Sequence, residues 1–236
     1  MNAHGLILVT GPTGCGKTCT LYSALHYLNT TTRNISTVED PIEIQLPGVN
    51  QVNVLPKIGL DFATALRTLL RQDPDIIMVG EIRDTETANI AIQAAQTGHL
   101  VFSTLHTKSA IETIPRLLSM NISTYNLLNA ITLIIAQRLV RKLCDNCKLP
   151  DYYAGKNIFK EKGCQECFNG FKGRTGIYEF LSIDEKIIDC ILTTSHLPKI
   201  INDLQQSNHQ TLYQAGLEKV FAGITSLSEL QRVLPC

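Results

Sequence analysis

The chain has 236 residues, of which 44% are apolar, and it carries 21 basic and 21 acidic side chains. This length and apolar content suffice to bury the core of one large domain or of two small ones. A formal net charge of zero gives no electrostatic reason to expect nucleic acid or an anionic membrane as a partner. No apolar run approaches the roughly 18 residues that a transmembrane helix needs, and residues 1–5 lack the basic region of a signal peptide. We therefore expect a cytoplasmic protein.

Short apolar runs alternate with helical patterns over the first 140 residues. Buried strands are predicted at residues 6–10, 35–38, 76–79 and 100–103, and helices at residues 17–28 and 84–96. Residues 49–54 alternate like a strand but lie between prolines, which suits an edge strand or a hairpin. Strands that alternate with helices predict an α/β fold with a parallel sheet covered on both faces.

The character of the chain changes after Leu139. Residues 141–176 are rich in Cys, Lys and Gly, and from about Ser182 onward the pattern is helical, with breaks near Pro198 and Gly223. We therefore predict a core domain at residues 1–140, a cysteine-containing segment at residues 141–176 and a C-terminal helical subdomain at residues 177–236.

One stretch matches the phosphate-binding pattern G-x-x-x-x-G-K-[ST] in full, namely Gly11, Pro12, Thr13, Gly14, Cys15, Gly16, Lys17 and Thr18. It follows a predicted strand and opens a predicted helix, which is the context that this motif requires. The glycines let backbone N–H groups surround phosphate oxygens, and the helix N-terminus adds its positive dipole end. Lys17 is expected to reach the β- and γ-phosphates of ATP, and Thr18 to bind Mg²⁺.

The strand predicted at residues 76–79 ends in Gly80 and Glu81, where P-loop enzymes usually carry an acidic pair. Glu81 is left as the single carboxylate at this position, so another carboxylate must help. Candidates are Glu39, Asp40 and Glu43, which follow the second predicted strand. A carboxylate near the γ-phosphate can orient or deprotonate the attacking water, although spacing alone leaves open a solvated acidic turn.

Two histidines, His99 and His106, flank the fourth predicted strand. The end of such a strand lies near the γ-phosphate in this kind of sheet, so one of them could sense that group. The alternative for any single histidine is a structural residue with satisfied hydrogen bonds.

Four of the eight cysteines form two C-x-x-C pairs separated by 16 residues, Cys144 with Cys147 and Cys164 with Cys167. This spacing is typical of zinc sites. Four thiolates suit a closed, tetrahedral, structural Zn²⁺ with no open position for catalysis.

Four stretches resemble the signature boxes of the secretion ATPase superfamily, which powers type IV pili and type II secretion: residues 11–18, 38–43, 70–84 and 97–107. The resemblance spans nearly the whole chain, and a glycine before Glu81 is what the family carries. The resemblance implies a RecA-like P-loop core with a tetracysteine zinc insertion. It further implies Glu43 as general base, Glu81 as the Walker B carboxylate near Mg²⁺, and His106, with His99 as a second candidate, as a sensor of the nucleotide state.

The function implied by the resemblance is ATP hydrolysis that powers the assembly of type IV pili. Family members work as hexameric rings on the cytoplasmic side of the inner membrane, where they act on a platform protein. The tetracysteine segment favours assembly motors over retraction motors, which usually lack it. A type II secretion motor is the alternative within the family. A DNA translocase, suggested by the small basic spot at residues 172–174, and a nucleotide-binding fragment without turnover are alternatives of other classes.

Family members also carry an N-terminal domain that supplies arginines to the ATP site. Only five residues precede the first predicted strand here. The resemblance therefore implies that this domain is absent and that the chain alone turns ATP over weakly.

Overall fold

The structure is a computed structural model that describes residues 4–193 and 209–234 of the chain. Its strands, in chain order, are β1 (Gly5–Thr10), β2 (Ile35–Glu39), β3 (Asn50–Asn53), β4 (Ile76–Val79), β5 (Leu100–Leu105), β6 (Ile131–Leu143), β7 (Leu149–Tyr153), β8 (Lys156–Lys160) and β9 (Phe171–Ser182). Its helices are α1 (Lys17–Leu28), α2 (Phe62–Leu69), α3 (Thr85–Gln96), α4 (Thr113–Ser119), α5 (Thr124–Ala130), α6 (Glu185–Thr193), α7 (Leu212–Phe221) and α8 (Leu227–Val233). None of these helices is long and apolar enough to cross a bilayer.

Seven strands form one sheet in the order β3-β2-β4-β5-β1-β6-β9, and β7 and β8 form a separate hairpin. Strands β1 to β6 run parallel to one another, whereas β9 runs antiparallel to β6. The parallel sheet has apolar cores on both faces. In β4, for example, Ile76 and Met78 pack with α1, while Ile77 and Val79 join the core that contains α2 and α3. This confirms the predicted α/β fold.

Helix starts follow from local sequence. Asp61 caps α2 and Asp84 caps α3, each accepting a hydrogen bond from a backbone N–H three residues on. Thr211 forms a capping box with Gln214 at the start of α7. The Asp84 cap explains why α3 begins within one residue of the predicted helix start, whereas α1 begins at Lys17 without a side-chain cap.

The strands and helices predicted over residues 1–105 are all present. Residues 50–53 form an edge strand, β3, that pairs in parallel with β2 and therefore is not part of a hairpin. The long strands β6 and β9 were not predicted, and they run through residues 140 and 176, where the sequence analysis divides the chain. The division into domains therefore stays a prediction. The break near Gly223 separates α7 from α8, and Pro198 lies outside the described residues.

A buried carboxylate ties the last helix to the sheet. Glu229 of α8 has no exposed side-chain surface, and it binds Arg141 of β6 at 2.6 Å and Arg232 at 2.7 Å. Burial alone would raise the pKa of the Glu229 carboxyl, but hydrogen bonds from Arg232 and Arg141 lower that pKa to about 2. The ionised form is therefore the one that the fold stabilises.

We expect Glu229→Gln to lower the free energy of unfolding by about 2–3 kcal/mol at neutral pH, because hydrogen bonds between charged groups are lost inside the protein. The folded pKa lies below the ordinary value of 4.5, so this stabilisation is complete above that pH and is lost as the pH falls toward about 2. Urea unfolding at several pH values measures this change in the free energy of unfolding. The matched control is Glu86→Gln, in an exposed pair with Arg67, for which we expect less than about 1 kcal/mol. A difference between wild type and Glu229→Gln that is as large at about pH 2.5 as at about pH 7 would contradict this assignment.

Candidate nucleotide site

A cavity of about 580 Å³ lies at the edge of the sheet where β1, β2, β4 and β5 end. Ligands of open α/β sheets bind at the carboxyl ends of the strands, so this is where a site is expected. The cavity collects side chains that are far apart in the chain: Lys17, Thr18, Asp40, Glu43, Glu81, Arg83, His106 and Arg174 all line it.

The loop between β1 and α1 has the shape of a phosphate cradle. Gly11, Gly14 and Gly16 have φ angles of 148°, 77° and 90°, which favour glycine. A Cβ atom at Gly11 would lie 2.5 Å from the carbonyl oxygen of Gln137. The Gln137 side chain also donates to the Cys15 carbonyl at 2.8 Å and accepts from the Thr20 hydroxyl at 2.7 Å. Contacts from Gln137 of β6 therefore fix the conformation of the loop.

Lys17 and Thr18 follow this loop at the start of α1. The Lys17 ammonium donates to the carbonyl oxygens of Gly11, at 2.8 Å, and Pro12, at 3.1 Å. Burial lowers the pKa of Lys17 below its ordinary value. The Thr18 hydroxyl donates to Oε1 of Glu43 at 3.2 Å. The residue predicted to bind Mg²⁺ and the residue predicted to be the general base are thus in direct contact.

Glu81 lies across the cavity, directly after β4. It forms an ion pair with Arg83, and its Oε2 atom is 3.7 Å from Nε2 of His106. Arg83 also lies 3.3 Å from Oδ2 of Asp40, and the hydrogen bond with Glu81 raises the pKa of Arg83. One guanidinium therefore bridges two of the carboxylates in this cavity.

The glycine before Glu81 has a packing reason. A Cβ atom at Gly80 would lie 3.2 Å from the carbonyl oxygen of Val38 and 3.5 Å from Cα of Glu39. The first distance is shorter than ordinary van der Waals contact, so a larger residue would push β2 and β4 apart. Glu81 is therefore left as the acidic residue at the end of β4.

Burial and contacts distinguish Glu39, the last residue of β2, from the carboxylates that follow it. Glu39 is 3% exposed and accepts hydrogen bonds from Tyr22, from Thr37 at 2.6 Å and from Gln51 at 3.0 Å. Burial, together with the hydrogen bond to Glu39, raises the pKa of Tyr22 to about 12. Glu43 is exposed toward the cavity, and its backbone N–H donates to the Tyr22 hydroxyl at 3.3 Å. Glu39 thus shapes the segment, and Glu43 is the carboxylate that reaches Thr18.

The two histidines lie at opposite ends of β5. His106 follows the carboxyl end of the strand and lines the cavity. His99 precedes the amino end, where its Nδ1 atom lies 2.9 Å from the carbonyl oxygen of Ala94. Of this pair, the structure brings His106 to the site and leaves His99 away from it.

The structure also separates the arginines that line the cavity from those that are engaged elsewhere. Arg67 pairs with Glu86, and Arg71 donates to the carbonyl of Arg67, so both side chains are engaged outside the cavity. Arg174, part of the basic spot at residues 172–174, lies in β9 and lines the cavity. The basic spot does not indicate a place at this cavity, because the position of Arg174 depends on the pairing of β9 with β6.

The four cysteines of the C-x-x-C pairs converge at a second place. Their Sγ atoms all lie within 4.8 Å of one another, and three of the separations are 3.6, 3.7 and 3.9 Å. Sulfur atoms about 3.8 Å apart are what a tetrahedral Zn²⁺ with Zn–S bonds of about 2.3 Å requires. Among the described residues this is the one cluster of three or more metal-ligating side chains of this kind. The donor set therefore fits a structural Zn²⁺.

Relatives of known function resemble the whole chain. The type IV pilus assembly ATPase PilB of Acinetobacter baylyi is 50% identical over 98% of this chain and 43% of the relative. Type II secretion system protein E of Dickeya dadantii is 47% identical over 98% of this chain and 48% of the relative. The chain thus spans slightly less than half the length of these two proteins.

A solved structure has the same fold. The pilus retraction motor PilT with bound ADP is 35% identical and superimposes with a TM-score of 0.75, covering 99% of this chain and 62% of that chain. The sequence model of the family described as type II/IV secretion system protein matches residues 1–232. The chain therefore belongs to the type II/IV secretion system protein family.

Proposed function

We propose that this chain binds ATP with Mg²⁺ in the cavity above the P-loop and hydrolyses it to ADP and phosphate, as the catalytic part of a motor that assembles type IV pili. The observation that carries the proposal is that the P-loop, Glu43 and Glu81 meet around one cavity although they lie far apart in the sequence.

Each residue has a chemical task in this proposal. The backbone N–H groups of residues 11–16 and the Lys17 ammonium bind the β- and γ-phosphates. Thr18 and Glu81 would hold Mg²⁺, which would supply positive charge that stabilises the transferring phosphoryl group. Glu43 accepts a proton from a water molecule as the water oxygen attacks the γ-phosphorus and the bond to ADP breaks. His106, 3.7 Å from Glu81, reports whether the γ-phosphate is present.

The choice of machine rests on the relatives and on the cysteines. Identity is slightly higher to the pilus assembly ATPase, at 50%, than to type II secretion system protein E, at 47%. The fit of the four cysteines to Zn²⁺ agrees with an assembly or secretion motor rather than a retraction motor. A ring of six copies, acting from the cytoplasm on a platform protein of the inner membrane, completes the proposal. Type II secretion is the second candidate, and loss of secreted proteins rather than of pili in a strain without the gene would favour it.

The nucleotide site is tested by Lys17→Ala. We expect the affinity for Mg·ATP to fall by about 10- to 100-fold, because a charge-assisted hydrogen bond to phosphate contributes about 1.5–3 kcal/mol. Isothermal titration calorimetry measures the affinity. The control is Lys57→Ala, which removes an exposed lysine in the short helical turn at Pro56–Ile58, away from the cavity. Equal affinities for wild type and Lys17→Ala would exclude the P-loop as the binding site.

A further inference from the structure

The residues that follow β5, here called the His106 segment (residues 106–112), connect the nucleotide cavity to the other half of the sheet. The segment begins with His106, which lines the cavity, and it forms neither strand nor helix. Thr10 of β1 binds it near its start, accepting from the Thr107 N–H at 2.9 Å. Because the segment lacks a regular backbone ladder, its path depends on groups from other elements.

One of these groups is a buried cation. Arg138 of β6 is 8% exposed, and it donates to the carbonyl oxygens of Lys108, at 2.6 Å, and of Gln137, at 2.9 Å. In the described part of the chain no carboxylate lies within ion-pair distance of Arg138. Desolvation of a guanidinium is unfavourable. A neutral side chain at this position would have a smaller free energy of desolvation. Its charge therefore indicates a role beyond packing.

A buried anion holds the same segment two residues later. Glu179 of β9 is 2% exposed, and its Oε1 atom accepts from the N–H of Ala110 at 3.2 Å and lies 3.0 Å from Nε2 of His209. Its Oε2 atom accepts from the N–H of Leu212 at 3.2 Å, at the first residue of α7. One carboxylate thus joins the His106 segment to the C-terminal helices.

The two charged side chains lie on the same face of the sheet. Glu179 is opposite Ala136 in the pairing of β6 with β9, and Arg138 is two residues beyond Ala136. Residues two apart on a strand share a face, so Arg138 and Glu179 are diagonal neighbours. The cation binds a carbonyl of the segment and the anion binds an N–H of the segment, which matches the polarity of each backbone group.

From this geometry we infer that Arg138 and Glu179 are positioning residues that hold the His106 segment against the sheet and set the place of His106 at the γ-phosphate. The inference rests on the proposed nucleotide site. Glu179 acts through the backbone of the segment, and Arg138 acts through the Lys108 carbonyl while its guanidinium also lies beside Gly11 of the P-loop. The effect of Glu179 should therefore appear with nucleotides that carry a γ-phosphate and be nearly absent with ADP, and the effect of Arg138 should be larger with a γ-phosphate than with ADP.

The test compares the affinities of the 236-residue chain for Mg·ADP and for Mg·AMP-PNP, a triphosphate analogue that resists hydrolysis, by calorimetry. For Glu179→Gln we expect ADP affinity to change by less than about twofold and AMP-PNP affinity to fall by about 10-fold, which corresponds to about 1.4 kcal/mol. For Arg138→Met, which also removes the guanidinium beside Gly11, we expect AMP-PNP affinity to fall more than ADP affinity. Hydrogen exchange of the amides in residues 107–112 should become faster in both variants. If Glu179→Gln does not fold, Arg138→Met and Arg138→Lys carry the same comparison, since Lys keeps the charge without the forked geometry of Arg.

Glu229→Gln is the matched control, because Glu229 is a buried carboxylate like Glu179 but binds arginines away from the segment. It should lower stability and leave the ratio of the two affinities unchanged. The inference is overturned if Glu179→Gln and Arg138→Met keep the wild-type ratio, or if Glu229→Gln alters it equally. Wild-type affinities that are equal for the two nucleotides would also overturn it, since no γ-phosphate contact would then exist. A wild-type chain that binds neither nucleotide would instead refute the proposed function.

Discussion

Replacement of Glu43 by Gln is expected to slow ATP hydrolysis by about 10²- to 10⁴-fold, the range that general base catalysis contributes. Gln has the same shape and can still accept the hydrogen bond that Glu43 receives from Thr18 at 3.2 Å. It cannot take a proton from the attacking water. Binding of Mg·ATP should therefore stay within a few-fold of wild type, and the whole effect should fall on the chemical step.

Phosphate release in a single turnover, with calorimetry for binding, separates these two quantities. Asp40→Asn is the matched control, because Asp40 lies in the same segment and lines the same cavity but pairs with Arg83 at 3.3 Å. We expect its effect on the rate to be far smaller. If Glu81→Gln abolishes hydrolysis with Mg²⁺ binding intact while Glu43→Gln stays active, the base is Glu81 and our assignment is wrong.

Loss of zinc is expected to lower the melting temperature by more than about 10 °C. Structural Zn²⁺ contributes apparent binding free energies of about 10–16 kcal/mol in zinc-finger peptides, and each kcal/mol shifts the melting temperature by roughly 2–4 °C in a chain of this size.

Because the tetracysteine segment packs on the C-terminal helices, we expect both to lose structure together when zinc is removed. Leu143 donates to the Ile224 carbonyl at 2.8 Å, Lys148 donates to the Gly223 carbonyl at 3.3 Å, and a Cβ atom at Gly223 would lie 2.8 Å from the Phe159 ring.

Cys144→Ser tests this expectation, with metal content read by native mass spectrometry and melting followed by circular dichroism. The control is Cys19→Ser, which changes an exposed cysteine of α1 outside the cluster. Wild type should carry one Zn²⁺ per chain, and Cys144→Ser should carry none. A wild-type chain that contains no zinc, or that melts at the same temperature as Cys144→Ser, would contradict a structural zinc site.

Contiguous patterns in the sequence were sufficient for the P-loop, for the strands of the first 105 residues with α1 and α3, and for the pairing of cysteines into one cluster, whereas α2 was not predicted. These features depend on spacing along the chain. Apolar runs of four to six residues make buried strands, and a C-x-x-C turn brings two thiols together locally. The resemblance to the signature boxes of the family then identified Glu43, Glu81 and His106 as candidates before any geometry was available.

The tertiary structure decided which groups each candidate residue contacts. The three carboxylates of residues 39–43 look alike in the sequence, but β2 turns Glu39 into the interior while Glu43 reaches Thr18. His99 and His106 are equally close to β5 in sequence, yet the direction of that strand places His106 at the cavity.

The long pair of β6 and β9 lies beyond local prediction, since its partners are separated by the tetracysteine segment and meet only in the folded sheet. That pairing brings Arg174 to the nucleotide cavity and places Arg138 and Glu179 beneath the His106 segment. Strand pairing between distant residues leaves no periodic signal in either strand that names the partner. The sequence by itself therefore determined which residues are candidates for this site, and the tertiary structure decided which of them meet at one cavity.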